Sequence, residues 1–165
     1  MLNIATAKFE KMVHEATTWI ADICAEMGYE DRQVAYHAMR GVLFALRDRL
    51  PMHEVFNLAA QLPTVIRGIF FEGYRGGGPV KYNRDQFIQI VNDEVQMGGG
   101  TEPLMAIRAV LAVLGSHISE GEVEHIREVL PGDIRAMWPE VAMARSAMRE
   151  TREAGYLEEP GETSK

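Results

Sequence analysis

The sequence predicts an all-α protein, a pseudo-symmetric helical bundle of two fused four-helix repeats with one more helix at the C-terminus. Three observations carry that expectation. Almost every segment recurs in apolar residues at three and four residue steps, the period of a helix with one buried face. No segment alternates apolar and polar residues over a strand's length. When the chain is shifted by 68 positions, Ala38 to Glu72 falls on Ala106 to Glu140 without a gap. The identities on that shift include Arg40 with Arg108, Leu46 with Leu114, Glu54 with Glu122, Leu62-Pro63 with Leu130-Pro131, Ile66-Arg67 with Ile134-Arg135, and Glu72 with Glu140.

Each element follows from local signals. Phe9, Met12, Val13, Ala16, Ile20, Ile23 and Met27 make the apolar stripe of a first helix that Gly28 stops. Asp31 caps a second helix, to about Arg49, with Met39, Val42, Leu43, Leu46 and Leu50 on its main stripe. Pro51 starts a short third helix and Pro63 a fourth that ends near Gly73. The glycines of RGGGPVKY (75–82) form a linker. Asn83 with Gln86 makes a variant of the capping box for a helix carrying Phe87, Ile90, Val91 and Val95. Glycines 98–100 end it and Thr101 opens the next. Ser119 with Glu122 gives a second capping-box signature before the short helix ending at Leu130. A final amphipathic helix, rich in Ala and Met, is expected over about 140–154, and 155–165 reads as a disordered tail.

These elements set the expected organisation: one domain over 1–154, with repeat one at about 4–75, repeat two at about 83–140 and the C-terminal helix after it. Neither repeat is long enough to bury much surface alone. The helix over 101–117 has almost no polar face, which marks it as buried. The simplest packing joins the two halves through this helix and its counterpart.

Composition excludes several functions. A 47% hydrophobic content in 165 residues supports a globular core, and a net charge of -7 without a basic block makes nucleic acid and anionic membrane poor partners. No apolar run approaches a bilayer span, and the N-terminus lacks the pattern of a signal peptide. A single cysteine, Cys24, excludes an internal disulfide and agrees with a reducing, cytoplasmic setting.

Arg67 and Arg135 each stand four residues after a proline, where a guanidinium can satisfy the last carbonyls of the preceding helix or serve as an anion ligand. Arg40 lies off the core stripe near Tyr36, Phe44 and Arg47; it and Arg108 are candidates for an inter-half contact or for a binding patch. Phe70, Phe71, Tyr74 and Tyr82 concentrate aromatics at the end of the first half, where they either pack across the halves or meet a partner. Glu122 and His125 have the E-x-x-H spacing of di-iron bundles, but the counterpart of His125 is Asn57 and the motif does not recur, so the residues read as solvated helix surface. No nucleophile motif or phosphate loop is present; GGGTEP leads into a helix start that can hold an anion, but three glycines alone are weak evidence for that and the loop reads as a flexible connection. No cofactor or metal is expected.

AMRGVLFALRDRLPMHEVFNLAAQLPTVIRGIFFEGY and AIRAVLAVLGSHISEGEVEHIREVLPGDIRAMW together resemble the bacterial domain-of-unknown-function family 2267 in two tandem copies, over about Phe9 to Trp138. The RLP and QLP leucine runs are fairly specific to it. The resemblance implies a small, helical, cytoplasmic bacterial protein with no established activity and no catalytic residues to carry over. The expected function is a non-catalytic protein-interaction or regulatory module with a protein partner or a second copy, using Phe71, Tyr74 and Tyr82 with the C-terminal helix. The alternative is a small-molecule or anion binder between the repeats, with Arg40, Arg67, Arg108 and Arg135 as ligands.

Overall fold

Helix starts and stops lie where short polar side chains and glycines can complete the backbone. In the computed structural model, which describes residues 3–140, α1 (Ile4–Met27) begins at Asn3, whose side chain accepts the Ala5 N–H. It ends at Gly28, whose φ of 68° turns the chain so that the Gly28 and Tyr29 amides close onto Ala25 and Cys24. Asp31 caps α2 (Arg32–Arg49) through the Gln33 N–H. Prolines 51 and 63 precede α3 (Met52–Gln61) and α4 (Thr64–Phe70). Asn83 and Gln86 make the full reciprocal capping box of α5 (Arg84–Met97).

The start of α6 (Pro103–His117) differs from expectation. Glu102, not Thr101, is its cap, and the Glu102 carboxylate accepts the N–H groups of Leu104 and Met105. A side chain of the chain itself thus occupies the donors that the glycine loop offers to an anion. Ser119 caps α7 (Glu120–Val129), and Pro131 precedes α8 (Gly132–Arg135). The described residues are all-α. The predicted C-terminal helix from 141 onward and the tail lie outside them.

Four helices make the centre. α2 packs most extensively on α5, and α6 packs on α1, α2 and α5. α6 is buried on nearly every side through Ala106, Ile107, Ala109, Val110, Leu111, Val113 and Leu114, as its composition predicts. The expected α2–α6 contact is present, but the larger α2 interface is with α5, and Gly41 explains it. A Cβ there would stand 3.1 Å from the Val91 Cα and 3.3 Å from its carbonyl oxygen, so the bare backbone lets the helices approach. Around this centre α3 meets α7, α4 packs mainly on α1, α2 and α3, and α8 rests on α5.

Of the predicted α1 stripe only Ala16, Ile23 and Met27 are fully core; Met12 and Ile20 are partly buried, and Phe9 and Val13 are exposed. Ala16, Trp19, Ile23, Cys24 and Met27 are buried, whereas Ile4, Phe9 and Val13 are 76%, 66% and 54% exposed. The reason is length: α1 has 24 residues and α6 has 15, about 36 Å against about 22 Å at the helical rise. At the C-terminal end of α6, His117 stacks on Trp19 at 4.5 Å and meets Asp22 at 2.7 Å. Upstream of that point α1 runs past its partner.

Candidate functional site

The two post-proline arginines bracket helix ends. Arg67 donates from Nε to the Ala59 carbonyl (2.7 Å) and from Nη2 to those of Ala60 (3.3 Å) and Leu62 (3.0 Å), two carbonyls of the last turn of α3 and that of the residue after it. Arg135 donates to Leu130 at 3.0 Å, the matching position at the end of α7. Both prolines and both arginines therefore serve one corner geometry, in which proline begins the new helix and the guanidinium completes the old one.

Arg40 does bridge the halves, but to carboxylates and not to carbonyls. Its Nε donates to Glu94 Oε1 at 2.7 Å, its Nη1 pairs with Glu72, and its guanidinium lies 4.8 Å from the Phe44 ring centre. His37 Nδ1 meets the same Glu94 oxygen at 2.9 Å. Glu94 is only 9% exposed, so these partners offset the burial of its charge. Its place beside Val91 and Val95 on the apolar stripe of α5 was the sequence signal for this burial. Arg108, the counterpart of Arg40, is exposed on α6 and has no ion pair among the described residues.

Arg47, which the sequence places beside Arg40, Tyr36 and Phe44 in a candidate binding patch, is instead a buried structural residue. At 6% exposure it donates to the carbonyls of Phe70 (2.9 Å) and Glu72 (2.7 Å) and to Asp48 (2.8 Å), and it lies against Phe44 and Tyr74. Its position at the 68-residue offset is Gly115, so the repeat gave no reason to single it out.

The aromatic segment splits. Phe70 is fully buried, Phe71 and Tyr74 are half-buried, and their rings run on to the exposed Phe56 with centroids 5.9 Å apart at each step. Phe70 belongs to the core, on the side of α4 that packs on α1, α2 and α3. Tyr82 is a core residue whose hydroxyl donates to the Ala45 carbonyl, and burial pushes its phenol well above the ordinary range. It is not presented to a partner. Cys24 is buried and its thiol is shifted up by burial, in keeping with inert packing.

The reading of Glu122 as solvated surface is corrected by its burial. It is 7% exposed, as is Glu54, and the two meet where α3 packs on α7. Ligand-type atoms of Glu54, Glu122 and His125 lie within 4.8 Å of one another. Glu122 does not complete a capping box, although its N–H donates to Ser119 Oγ at 3.2 Å. Burial, and then the nearby Glu54 charge, hold its carboxyl above the ordinary glutamate value. Helix periodicity alone could not foresee that the two counterpart glutamates would face each other across the halves.

Fold and site together define a small all-α bundle whose two halves are joined by partly buried ion pairs and by a carboxylate-rich contact. The profile of an uncharacterized conserved protein family, DUF2267, matches residues 16–137, and the chain belongs to that family. A search of curated proteins found no match. No helix among the described residues is long and apolar enough to cross a membrane.

Proposed function

We propose that the chain is a non-catalytic cytoplasmic interaction module of bacterial origin, built from two copies of one helical unit, and that it acts by pairing with a second copy through the exposed half of α1. The observation that carries this reading is the continuity of the α1 stripe. The row buried as Ala16, Ile23 and Met27 runs on into solvent as Val13 and Phe9, over a shallow groove also lined by Thr6, Glu10, His14 and Thr17. Whatever covers it extends the core.

Charge favours a second copy. The flanking Lys8, Lys11, Glu10 and Glu15 cancel, whereas the whole chain carries -7, so this face is spared the average repulsion between copies. A two-fold pairing then sets the same mixed pattern against itself in reverse. The small-molecule reading has less support, because Arg40, Arg67 and Arg135 spend donors on protein acceptors. The polar cleft of about 230 Å³ at Arg47, Arg75 and the glycine loop is the place left for it.

Sedimentation of the full chain over a concentration series tests the pairing. The wild type is expected to dimerise. A Phe9→Glu, Val13→Glu double variant should weaken the dimer by about 3 kcal/mol, roughly a hundred-fold in Kd, with helical content unchanged. A wild type that stays monomeric, with a double variant that melts earlier, would show that the chain covers this face itself and would overturn the reading, as would a dimer indifferent to the substitutions.

A further inference from the structure

The contact between α3 and α7 holds a set of groups that packing does not explain. Glu54 and Glu122 are both 7% exposed and their carboxylates face each other. Two buried carboxylates side by side repel unless something positive lies between them. Glu54 has partial satisfaction from its own helix: Asn57 Nδ2 donates to its Oε2 at 3.4 Å, and His53 Nε2 lies 3.2 Å from its Oε1. Glu122 has less. Its Oε1 is buried without a hydrogen-bond partner among the described residues, whereas Oε1 of the buried Glu94 is engaged by both Arg40 and His37. Among the described residues no arginine or lysine forms an ion pair with either carboxylate; the third group present is the imidazole of His125, one turn along α7 from Glu122.

We infer that Glu54, Glu122 and His125 bind one divalent first-row transition ion that clamps α3 to α7. The donor set is the reason for that class. Two carboxylates and one imidazole suit zinc or manganese, whereas magnesium and calcium prefer all-oxygen shells with more ligands or waters. The spacing is compatible. Ligands at about 2.1 Å from one ion in a tetrahedral shell stand about 3.4 Å apart, so atoms that already lie within 4.8 Å of one another close on the ion with at most about 1.4 Å of side-chain movement. Three protein ligands leave at least one position for water. Asn57 and His53 hold Glu54 from behind, the role of outer residues that orient a ligand. The ion would cancel the paired charge and give Glu122 Oε1 the partner it lacks.

The sequence argument against a metal was that E-x-x-H needs carboxylates from other helices. Glu54 supplies one from the other half of the chain. A second E-x-x-H is absent, so the site is mononuclear and not a di-iron centre.

Titration calorimetry of the full chain, stripped with EDTA and then given zinc chloride, tests the site. Wild type should bind one equivalent and melt at a higher temperature with zinc than without. Glu122→Gln, nearly isosteric, and His125→Ala, at an exposed position, should each weaken binding by more than about a hundred-fold and remove the thermal shift. Manganese chloride should bind more weakly at the same residues, and magnesium chloride should give no shift. Zinc binding that survives both substitutions would place the ion on other histidines and overturn the assignment. So would a wild type that binds neither zinc nor manganese while Glu122→Gln alone raises the melting temperature; a proton, not a metal, would then serve the pair.

Discussion

Gly41→Leu should abolish the native fold, and Gly41→Ala should already lower stability by about 1–2 kcal/mol in urea denaturation. Alanine normally favours a helix over glycine by about 1 kcal/mol, so this sign is the reverse of what propensity predicts. The cause is the α2–α5 contact. A Cβ at Gly41 would meet Val91 Cα at 3.1 Å and Glu94 Cβ at 3.2 Å, and backbone does not yield as a side-chain tip does. Pushing α5 away also separates Glu94 from Arg40 and His37 and leaves a buried carboxylate short of partners. Gly68 is the control. It lies inside α4 with nothing within 4 Å of its would-be Cβ, so Gly68→Ala should stabilise by roughly 1 kcal/mol. If Gly41→Ala stabilised to the same degree, the close approach of α2 and α5 would not be what holds them.

Arg47→Ala should cost about 3 kcal/mol, the largest loss from any single arginine. Its guanidinium satisfies two carbonyls at the end of α4, those of Phe70 and Glu72, and the Phe70 bond lies in the buried interior. Truncation leaves these acceptors unpaired, opens space between Phe44 and Tyr74, and frees Asp48. Arg47→Lys keeps the charge but cannot donate in three directions from a fixed plane, so it should recover less than half of the loss. Arg67→Ala is the comparison. Its carbonyls are partly open to water, and the cost should be about 1 kcal/mol. Equal losses at the two arginines in urea melts would mean that Arg47 gains nothing from its burial.

Much of this was legible in the sequence where the cause is local. The Asn83–Gln86 capping box, the Asp31 cap, the Gly28 stop and the all-round burial of α6 depend on neighbours a few residues away, and each was readable. The post-proline arginines were readable because the same residues recur at the same offset with the same local task. What escaped depends on distant pairings. Arg47 works through carbonyls 23 and 25 positions away, Glu122 is buried by Glu54 from the other half, and Phe9 and Val13 lie beyond the reach of α6. A stripe shows which face of a helix is apolar; it does not show how much of that face a shorter neighbour will cover. Glu102 escaped for a smaller reason: a glutamate is an uncommon cap, and Thr101 was the better candidate by type.

The dominance of the α2–α5 contact also changes what counts as a unit of this chain. α2 finds its largest partner beyond the glycine linker, and α6 finds α1 and α2 on the near side of it. Each half is thus a template for the other and not a smaller protein. Covalent continuity through Gly76, Gly77 and Gly78 then serves mainly to raise the local concentration of one half around the other. A chain cut at those glycines would reassemble from two fragments, each unfolded by itself, and the two halves would melt as one body.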